Sequence, residues 1–342
     1  MRRIPSSLLG IAFALAGFSA PHACPAAFEF PFPGAGAAPS AGQAMVPPGA
    51  VSQFQGVIGN RVQALTILAG DYSTATGIYT FNGQNLADLS LIKVGGSGNL
   101  AGPAPLFGSR VKWAPVLAGN VGYIAATNEF TSGPLNGNKS EYDVFALEAG
   151  GGARFYFTDH LSLAPIVCGL YSHTENKFTP QNAMGEMIAQ AARGTYVDWR
   201  VDTWSVTPSV DLHYDWQWGR TTFTFSSHYS YFHTQSFNSS SAVISVHGDS
   251  STWENKLDAD VPLGVPVFGG ELHTGGFFSR TELGGGAADG LQTNHFYTVN
   301  GRLVVSPLGN LWNLHWIGVG ASYLFGGHLN GYTIGVDFQF EF

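Results

Sequence analysis

Charge is scarce in this sequence. Only 11% of the 342 residues are charged, whereas ordinary soluble domains carry about 25%. Basic residues are the rarer kind, since 15 Lys and Arg against 23 Asp and Glu give a net charge of -8. Nucleic-acid binding needs a basic patch or stripe, so the composition excludes nucleic acid as a partner. The shortage of charge also argues against an ordinary soluble enzyme.

Long hydrophobic runs are missing as well. Hydrophobic residues make up 44% of the chain and the mean hydropathy is +0.06, yet after residue 24 no stretch approaches the roughly 18 consecutive apolar residues that indicate a transmembrane helix. The two cysteines, Cys24 and Cys168, permit a disulfide in an oxidising compartment but do not require one. With 45 Gly and 13% aromatic residues, the composition is typical of a β-barrel that has a lipid-facing surface and a polar lumen.

The N-terminus has the layout of a secretory signal peptide. Two arginines follow Met1, and an apolar stretch from Leu8 to Phe18 leads to small residues. Cleavage is expected after Ala20 or after Ala23. The second choice would leave Cys24 at the mature N-terminus, as in a lipoprotein, and both sites remain open. We therefore predict a signal peptide over residues 1–23.

Apolar and polar residues alternate over long segments. Between Thr203 and Trp218, Trp, Val, Leu and Tyr occupy most even positions, and Thr, Ser, Asp and His occupy most odd ones. Because successive side chains of a strand point to opposite faces, such segments indicate strands with one lipid face and one lumen face. The same alternation along the rest of the chain predicts about twelve antiparallel strands, near 87–95, 106–114, 119–128, 142–157, 161–174, 202–217, 220–235, 251–262, 268–283, 294–306, 311–325 and 330–342.

Two irregularities and a loop pattern accompany this prediction. The apolar phase slips by one between Trp316 and Ile317, and residues 271–283 alternate poorly, so a bulge or a misplaced strand boundary is expected in these places. The predicted connections are alternately short and long. Outer-membrane barrels have short periplasmic turns and longer extracellular loops, and on this basis 96–105, 129–141, 175–201, 236–250 and 284–293 are predicted to be extracellular.

The last segment alternates most regularly, and the chain ends on an aromatic residue. Apolar side chains stand at every second position up to Phe342. This ending resembles the C-terminal signal by which outer-membrane barrels are recognised for assembly. The resemblance implies outer-membrane lipid and the barrel assembly machinery as partners. Its signal residues would be Tyr332, Phe338, Phe340 and Phe342.

The segment before the strands has a different period. Phe54, Ile58, Val62, Leu65 and Leu68 recur mostly at three- and four-residue steps, which predicts a helix of roughly 15 to 18 residues. A helix in front of a twelve-stranded barrel resembles the autotransporter translocator, in which such a helix occupies the pore. The resemblance covers about residues 51–342 and implies a non-enzymatic protein of the cell outer membrane.

The sequence thus divides into four parts. The linker is rich in Pro, Gly and Ala, which favours an extended segment. Between the predicted signal peptide and the helix this sequence leaves no room for a large passenger, so we expect a resemblance to a solitary autotransporter-type barrel, and a translocator and a pore both remain open. The predicted parts are 1–23 (signal peptide), 24–50 (linker), 51–86 (helix and pre-barrel segment) and 87–342 (barrel).

The alternative function is an outer-membrane hydrolase. His228-Tyr229-Ser230 has the His-x-Ser spacing of the outer-membrane phospholipase and of the lipid A deacylase, where His activates Ser. Here Tyr229 belongs to the lipid face, so His228 and Ser230 should point into the lumen, away from acyl chains. Asp211, His213 and Asp215 share a lumen face, but alternate residues of one strand stand about 6.6 Å apart, too far for one metal ion without neighbouring strands.

We therefore predict no catalytic, cofactor or metal site. The expected role of the inward polar residues is a hydrogen-bonded lumen wall. Whether the helical segment plugs the lumen should distinguish a closed barrel from a small-molecule channel. The predicted lumen residues are Glu148, Arg154, Asp211, His213, Asp215, His228 and Arg302.

Overall fold

The computed structural model describes residues 48–72, 77–83, 88–130, 136–241, 243–306, 314–327 and 329–340. The predicted signal peptide, most of the predicted linker and Phe342 lie outside these ranges. The helices are α1 (Pro48–Gly70), α2 (Ala183–Ala192) and α3 (Gly286–Leu291). The strands are β1 (Gly77–Gly83), β2 (Asp88–Asn99), β3 (Ala104–Pro105), β4 (Lys112–Glu129), β5 (Lys139–Tyr156), β6 (Leu161–Thr179), β7 (Arg200–Trp218), β8 (Thr221–Ser239), β9 (His247–Val267), β10 (Gly270–Gly285), β11 (His295–Ser306), β12 (Leu314–Gly326) and β13 (Leu329–Phe340).

The strands close into one antiparallel ring. From β4 to β13 each strand pairs with the next, β13 pairs with β1, β1 with β2, and β2 with β4. The two-residue β3 pairs with β4 outside the ring. Closure leaves no free sheet edge along the paired segments. Strands in lipid need this closure, because hydrocarbon offers no hydrogen-bond partner to an unpaired backbone group. The prediction of an antiparallel barrel of about twelve strands is confirmed.

Alternation along each strand separates an outer face from an inner one. On β7, Trp204 and Val206 are 40% and 41% exposed, whereas the alternate residues Thr203 and Ser205 are 0% and 1% exposed. The outer face also carries highly exposed apolar side chains on the last strand, for example Ile334 at 67%. An apolar exterior around a polar interior is the arrangement expected of a barrel in a bilayer.

The beginning of the barrel differs from the prediction. Strand β4 runs without a break through residues 112–114, the predicted turn and the predicted strand 119–128, whereas residues 106–111 precede it and are not a strand. Residues 96–105, predicted to be extracellular, lie instead at the same end as the short turns, because Lys112 at the start of β4 pairs with Tyr156 at the end of β5. Pro115 suggests a break, since proline lacks an N–H for the ladder. Proline is accommodated here because the ladder between β2 and β4 stops at the pair Asn99 and Val116 and does not include Pro115.

The sheet also begins before residue 87. Strand β1 lies within the predicted pre-barrel segment 51–86 and joins β13 to β2. The register shifts between Leu272 and His273, inside the segment that alternates poorly, and between Leu314 and Trp316, just before the predicted slip at Trp316 and Ile317. Helix α1 spans 23 residues and is longer than predicted. None of the helices in the described ranges is both long and apolar enough to cross a membrane.

The two ends of the barrel have different connections. At one end the hairpins β5–β6, β7–β8 and β9–β10 turn within a few residues. At the other end the connections β4–β5, β6–β7, β8–β9 and β10–β11 are longer and include α2 and α3, whereas the β12–β13 connection is short. In barrels of this kind the long connections are extracellular, so we call this the long-loop end.

Candidate functional site: a helix inside the barrel

Helix α1 lies within the ring of strands. It contacts β2, β4, β5, β6 and β9, which belong to different sides of the ring, and a rod that touches several sides must occupy the lumen. Val62, Leu65 and Ala69 of α1 are completely buried. They belong to a core with inward apolar residues of the wall, among them Leu91, Ile124, Val144, Leu170 and Phe232.

The helix has its N-terminal part at the long-loop end, where α3 folds against it. Asn60 Nδ2 donates to Asp289 Oδ2 at 3.3 Å, and Ser250 Oγ donates to Gln63 Oε1 at 2.9 Å. The backbones approach closely, because a Cβ on Gly290 would lie 2.2 Å from the carbonyl oxygen of Asn60. Only glycine permits this contact. The loop after β10 therefore covers the helix at this mouth of the barrel.

Hydroxyl groups join the middle of α1 to the wall. Thr66 Oγ1 lies 2.8 Å from Ser172 Oγ, which lies 2.7 Å from Thr203 Oγ1. All three residues are 0–1% exposed. Buried hydroxyls need partners, and here the helix and two adjacent strands supply them to one another.

The C-terminal end of α1 is capped by the wall. The last four carbonyl groups of a helix have no partner within it. Asn120 of β4 donates through Nδ2 to the carbonyl oxygens of Ala69 at 2.6 Å and Gly70 at 2.9 Å. Lys93 of β2, which is 1% exposed, donates to the carbonyl oxygen of Asp71. The ammonium group also compensates the negative end of the helix dipole.

Close backbone contact fixes the depth at which α1 ends. A Cβ on Gly122 would lie 2.1 Å from the carbonyl oxygen of Ala69. On β4, Gly122 is two residues from Asn120, which also faces inward. A larger side chain at Gly122 would push the helix end away from its cap.

The two residues after α1 are held by polar groups from other strands. Tyr72 N donates to Glu148 Oε2 at 2.9 Å, and Tyr72 Oη lies 2.8 Å from Ser209 Oγ. Thr252 Oγ1 donates to Asp71 Oδ2 at 3.0 Å. These contacts reach β5, β7 and β9, so the chain is fixed from three sides where it leaves the helix.

A serine, a histidine and an aspartate form a hydrogen-bonded chain beside this point. His228 Nδ1 is bonded to Asp211, which stands directly opposite it on β7, and His228 Nε2 lies 2.6 Å from Ser230 Oγ. The three residues are 5%, 7% and 0% exposed for Asp211, His228 and Ser230. The His228 ring also lies edge-to-face with Tyr72, at 5.2 Å between centroids.

The structure brings only some of the predicted lumen residues together. Glu148, Asp211 and His228 meet at the helix end, and Arg154 reaches Asp211 at 4.0 Å. Three others lie elsewhere. Asp215 accepts from Thr224 at 2.6 Å, Arg302 makes two bonds of 2.6 and 2.7 Å to Asp258, and His213 is half-buried on the inner face.

Sequence reasoning missed Lys93, Asn120, Ser209 and Thr252. One signal was available for Lys93, since it occupies an inward position in the alternating run after Leu89 and Leu91.

We name the contacts at the helix end the clamp. Its members are Lys93, Asn120, Glu148, Ser209, Asp211, His228, Ser230 and Thr252, around Asp71 and Tyr72. Within the described residues no three His, Cys, Asp or Glu side chains are arranged to hold a metal ion.

The last strand shows the predicted outer face where it is described. Tyr332, Ile334 and Val336 are 60%, 67% and 49% exposed. Phe338 pairs with Ile317, and Phe340 pairs with Leu314. The C-terminal strand thus belongs to the lipid-facing wall.

The geometry agrees with a comparison to protein families. The family model for the solitary outer membrane autotransporter beta-barrel domain matches residues 106–340, more than half of the chain. The chain belongs to this family. This autotransporter barrel is therefore a membrane-inserted protein of the cell outer membrane.

Solved structures of translocator domains are similar in fold. The β domain of the Bordetella autotransporter BrkA has 13% identity and a TM-score of 0.48 over 79% of this chain and 100% of its own. The transport unit of AIDA-I from Escherichia coli has 9% identity and a TM-score of 0.49 over 84% of this chain and 99% of its own. The translocator domain of NalP from Neisseria meningitidis has 12% identity and a TM-score of 0.43 over 86% of this chain and 98% of its own. No curated protein sequence matches this chain.

Proposed function

We propose that this autotransporter barrel is a closed, non-enzymatic translocator whose pore is sealed by α1. The observation that carries the proposal is the burial of α1 against several sides of the ring, with the clamp at its C-terminal end and α3 at the other. A lumen filled in this way leaves little room for ions. An open small-molecule channel is thereby disfavoured.

The direction of α1 supports delivery of the preceding chain to the cell surface. The helix begins at the long-loop end and ends inside the barrel, at the clamp. This direction supports the proposal that the part of the chain preceding Pro48 is delivered to the cell surface. We further propose that the barrel assembly machinery inserts the protein by recognising the C-terminal segment, with Phe338, Phe340 and Phe342 as the predicted signal residues.

An epitope inserted immediately before Pro48 tests the direction of transport. We expect antibody to bind it on intact cells. Two reference sites calibrate the assay: an epitope after Gly219, in a short turn, should react only after permeabilisation, and one after Ser240, at the long-loop end, should react on intact cells. If the epitope before Pro48 behaves like the one after Gly219, the proposed direction is wrong.

Electrical measurement tests the seal. The purified full-length protein in planar bilayers should stay closed most of the time, whereas an open lumen of this size would conduct steadily. Steady conductance by the wild-type protein would contradict a helix-sealed pore.

The second candidate function is a hydrolase, favoured by the chain Asp211, His228 and Ser230. In such an arrangement His accepts the Ser proton as the oxygen attacks, and Asp orients and stabilises the imidazolium. With α1 in place Ser230 is 0% exposed, so a substrate has no access to its hydroxyl. Labelling of the wild-type barrel by a fluorophosphonate, lost in Ser230→Ala, would favour the hydrolase. If neither protein is labelled, Asp211, His228 and Ser230 are a structural part of the clamp.

A further inference from the structure

We propose that a polar row on the lipid-facing wall binds the headgroup of a phosphorylated glycolipid in the outer leaflet. The row consists of Ser227, Asn255 and Arg280, which stand opposite one another on β8, β9 and β10. This inference is independent of the helix and its clamp, because the row lies on the other side of the wall.

Alternation on β10 places Arg280 outside the barrel. Phe278 is 48% exposed, whereas Ser279 and Thr281 are 1% and 4% exposed and face the lumen. Arg280 has the same parity as Phe278 and therefore points outward, toward lipid. Asn255 and Ser227 are its register partners on the adjacent strands, so their side chains share that face.

The row reaches the level of the lipid headgroups at Arg280. This residue is ten positions beyond Gly270, where β10 leaves its short turn. Ten residues of a strand tilted by about 40° rise about 25 Å, which is the height of the apolar band of an outer-membrane barrel. Its partner on β11 is Tyr297, and tyrosines are typical of the aromatic girdle at the interface.

The guanidinium group is held in place by its neighbours. It lies over the Tyr297 ring, 5.9 Å from the centroid, and its Nη2 is 2.9 Å from Glu282 Oε1. Phe278 stacks on the other side of Tyr297, at 5.8 Å between centroids. An arginine fixed on an aromatic surface loses little freedom when it binds an anion, and its fork matches phosphate geometry.

The Arg280 side chain remains accessible beside this polar row, since it is 27% exposed. Its contact with Glu282 uses Nη2, so other N–H groups of the guanidinium can donate to a phosphate oxygen. Ser227 Oγ accepts from Trp253 Nε1 at 3.0 Å, which leaves its own O–H as a donor to a sugar oxygen. A phosphorylated sugar headgroup would offer acceptors to both residues, whereas a simple phospholipid would lack the sugar.

The test measures lipid A that copurifies with the full-length barrel, by mass spectrometry per mole of protein. Loss of a charge-assisted hydrogen bond weakens binding by about tenfold or more, so Arg280→Ala should reduce the bound lipid by about that factor, and Arg280→Lys by less. Glu282→Gln should increase it, because a competing anion is removed. Arg193→Ala is the matched control, since Arg193 is also paired with a carboxylate, Asp198 at 2.9 Å, but lies in the loop after α2.

Rebinding to delipidated protein separates the ligands. Lipid A should bind more tightly than its dephosphorylated form and more tightly than phosphatidylglycerol. The proposal is overturned if Arg280→Ala retains as much lipid A as Arg193→Ala, or if removal of the phosphates has no effect. If Arg280→Ala fails to show heat-modifiable migration, Arg280→Lys and Glu282→Gln, with opposite expected effects, decide the outcome.

Discussion

Asn120 offers a direct way to loosen the helix without removing it. Its amide donates to the last carbonyls of α1 at 2.6 and 2.9 Å, and the residue is 3% exposed. A hydrogen bond contributes about 1 kcal/mol net, and a carbonyl left buried without a partner costs about 1–3 kcal/mol. Asn120→Ala should therefore destabilise the seated helix by about 2–3 kcal/mol, which raises the population of the unseated state about 30- to 150-fold.

The assay is the frequency of channel openings in planar bilayers. Asn300→Ala is the matched control, because Asn300 is also an asparagine of the barrel wall with two bonds, at 2.9 Å to Ser322 and 3.3 Å to the carbonyl of Ala321, but both partners belong to the wall. Openings should become more frequent in Asn120→Ala and remain rare in Asn300→Ala. Equal opening frequencies in the two variants would refute the assignment of Asn120 as a cap of the sealing helix.

Two further predictions concern the wall. Val299 is 47% exposed on the outer face and Thr298 is its inward neighbour; Val299→Arg should impair folding into lipid by up to about 2 kcal/mol, since Val299 lies between the midplane and the interface, whereas Thr298→Arg should not, and equal loss in folding titrations would contradict the assignment of the two faces. Replacement of Phe340 and Phe342 by Ser should block insertion while leaving export intact, measured as heat-modifiable protein in outer-membrane fractions; normal levels of assembled barrel would rule out the signal.

The wall of the barrel could be predicted because each strand carries its own information. Parity alone separates Trp204 and Val206 from Thr203 and Ser205, and it places Glu148, Asp211 and His228 inside. Even the pairing of Asp211 with His228 was accessible, since each lies seven residues from the β7–β8 turn, Trp218 and Thr221. This information is local, so it can be read from the sequence without knowledge of the whole fold.

The clamp could not be predicted, because it depends on where a helix ends inside a closed ring. Lys93 and Asn120 serve α1 only because β2 and β4 stand beside its last turn. That position depends on the close approach at Gly122 and on the height at which β1 begins. Strand β1 is only seven residues long, and its short alternation did not distinguish it from a loop.

The central claim is that α1 occupies the lumen of the assembled barrel. Thr66 Oγ1 and Ser172 Oγ are 2.8 Å apart, so cysteines at both positions can approach the S–S distance of about 2.05 Å with a small adjustment. In a background with Cys24→Ser and Cys168→Ser, mild oxidation of outer membranes should join Thr66→Cys to Ser172→Cys, detected as a linked peptide by mass spectrometry and absent from either single variant. If the two thiols stay reduced in heat-modifiable, assembled protein, the helix does not lie in the lumen beside β6.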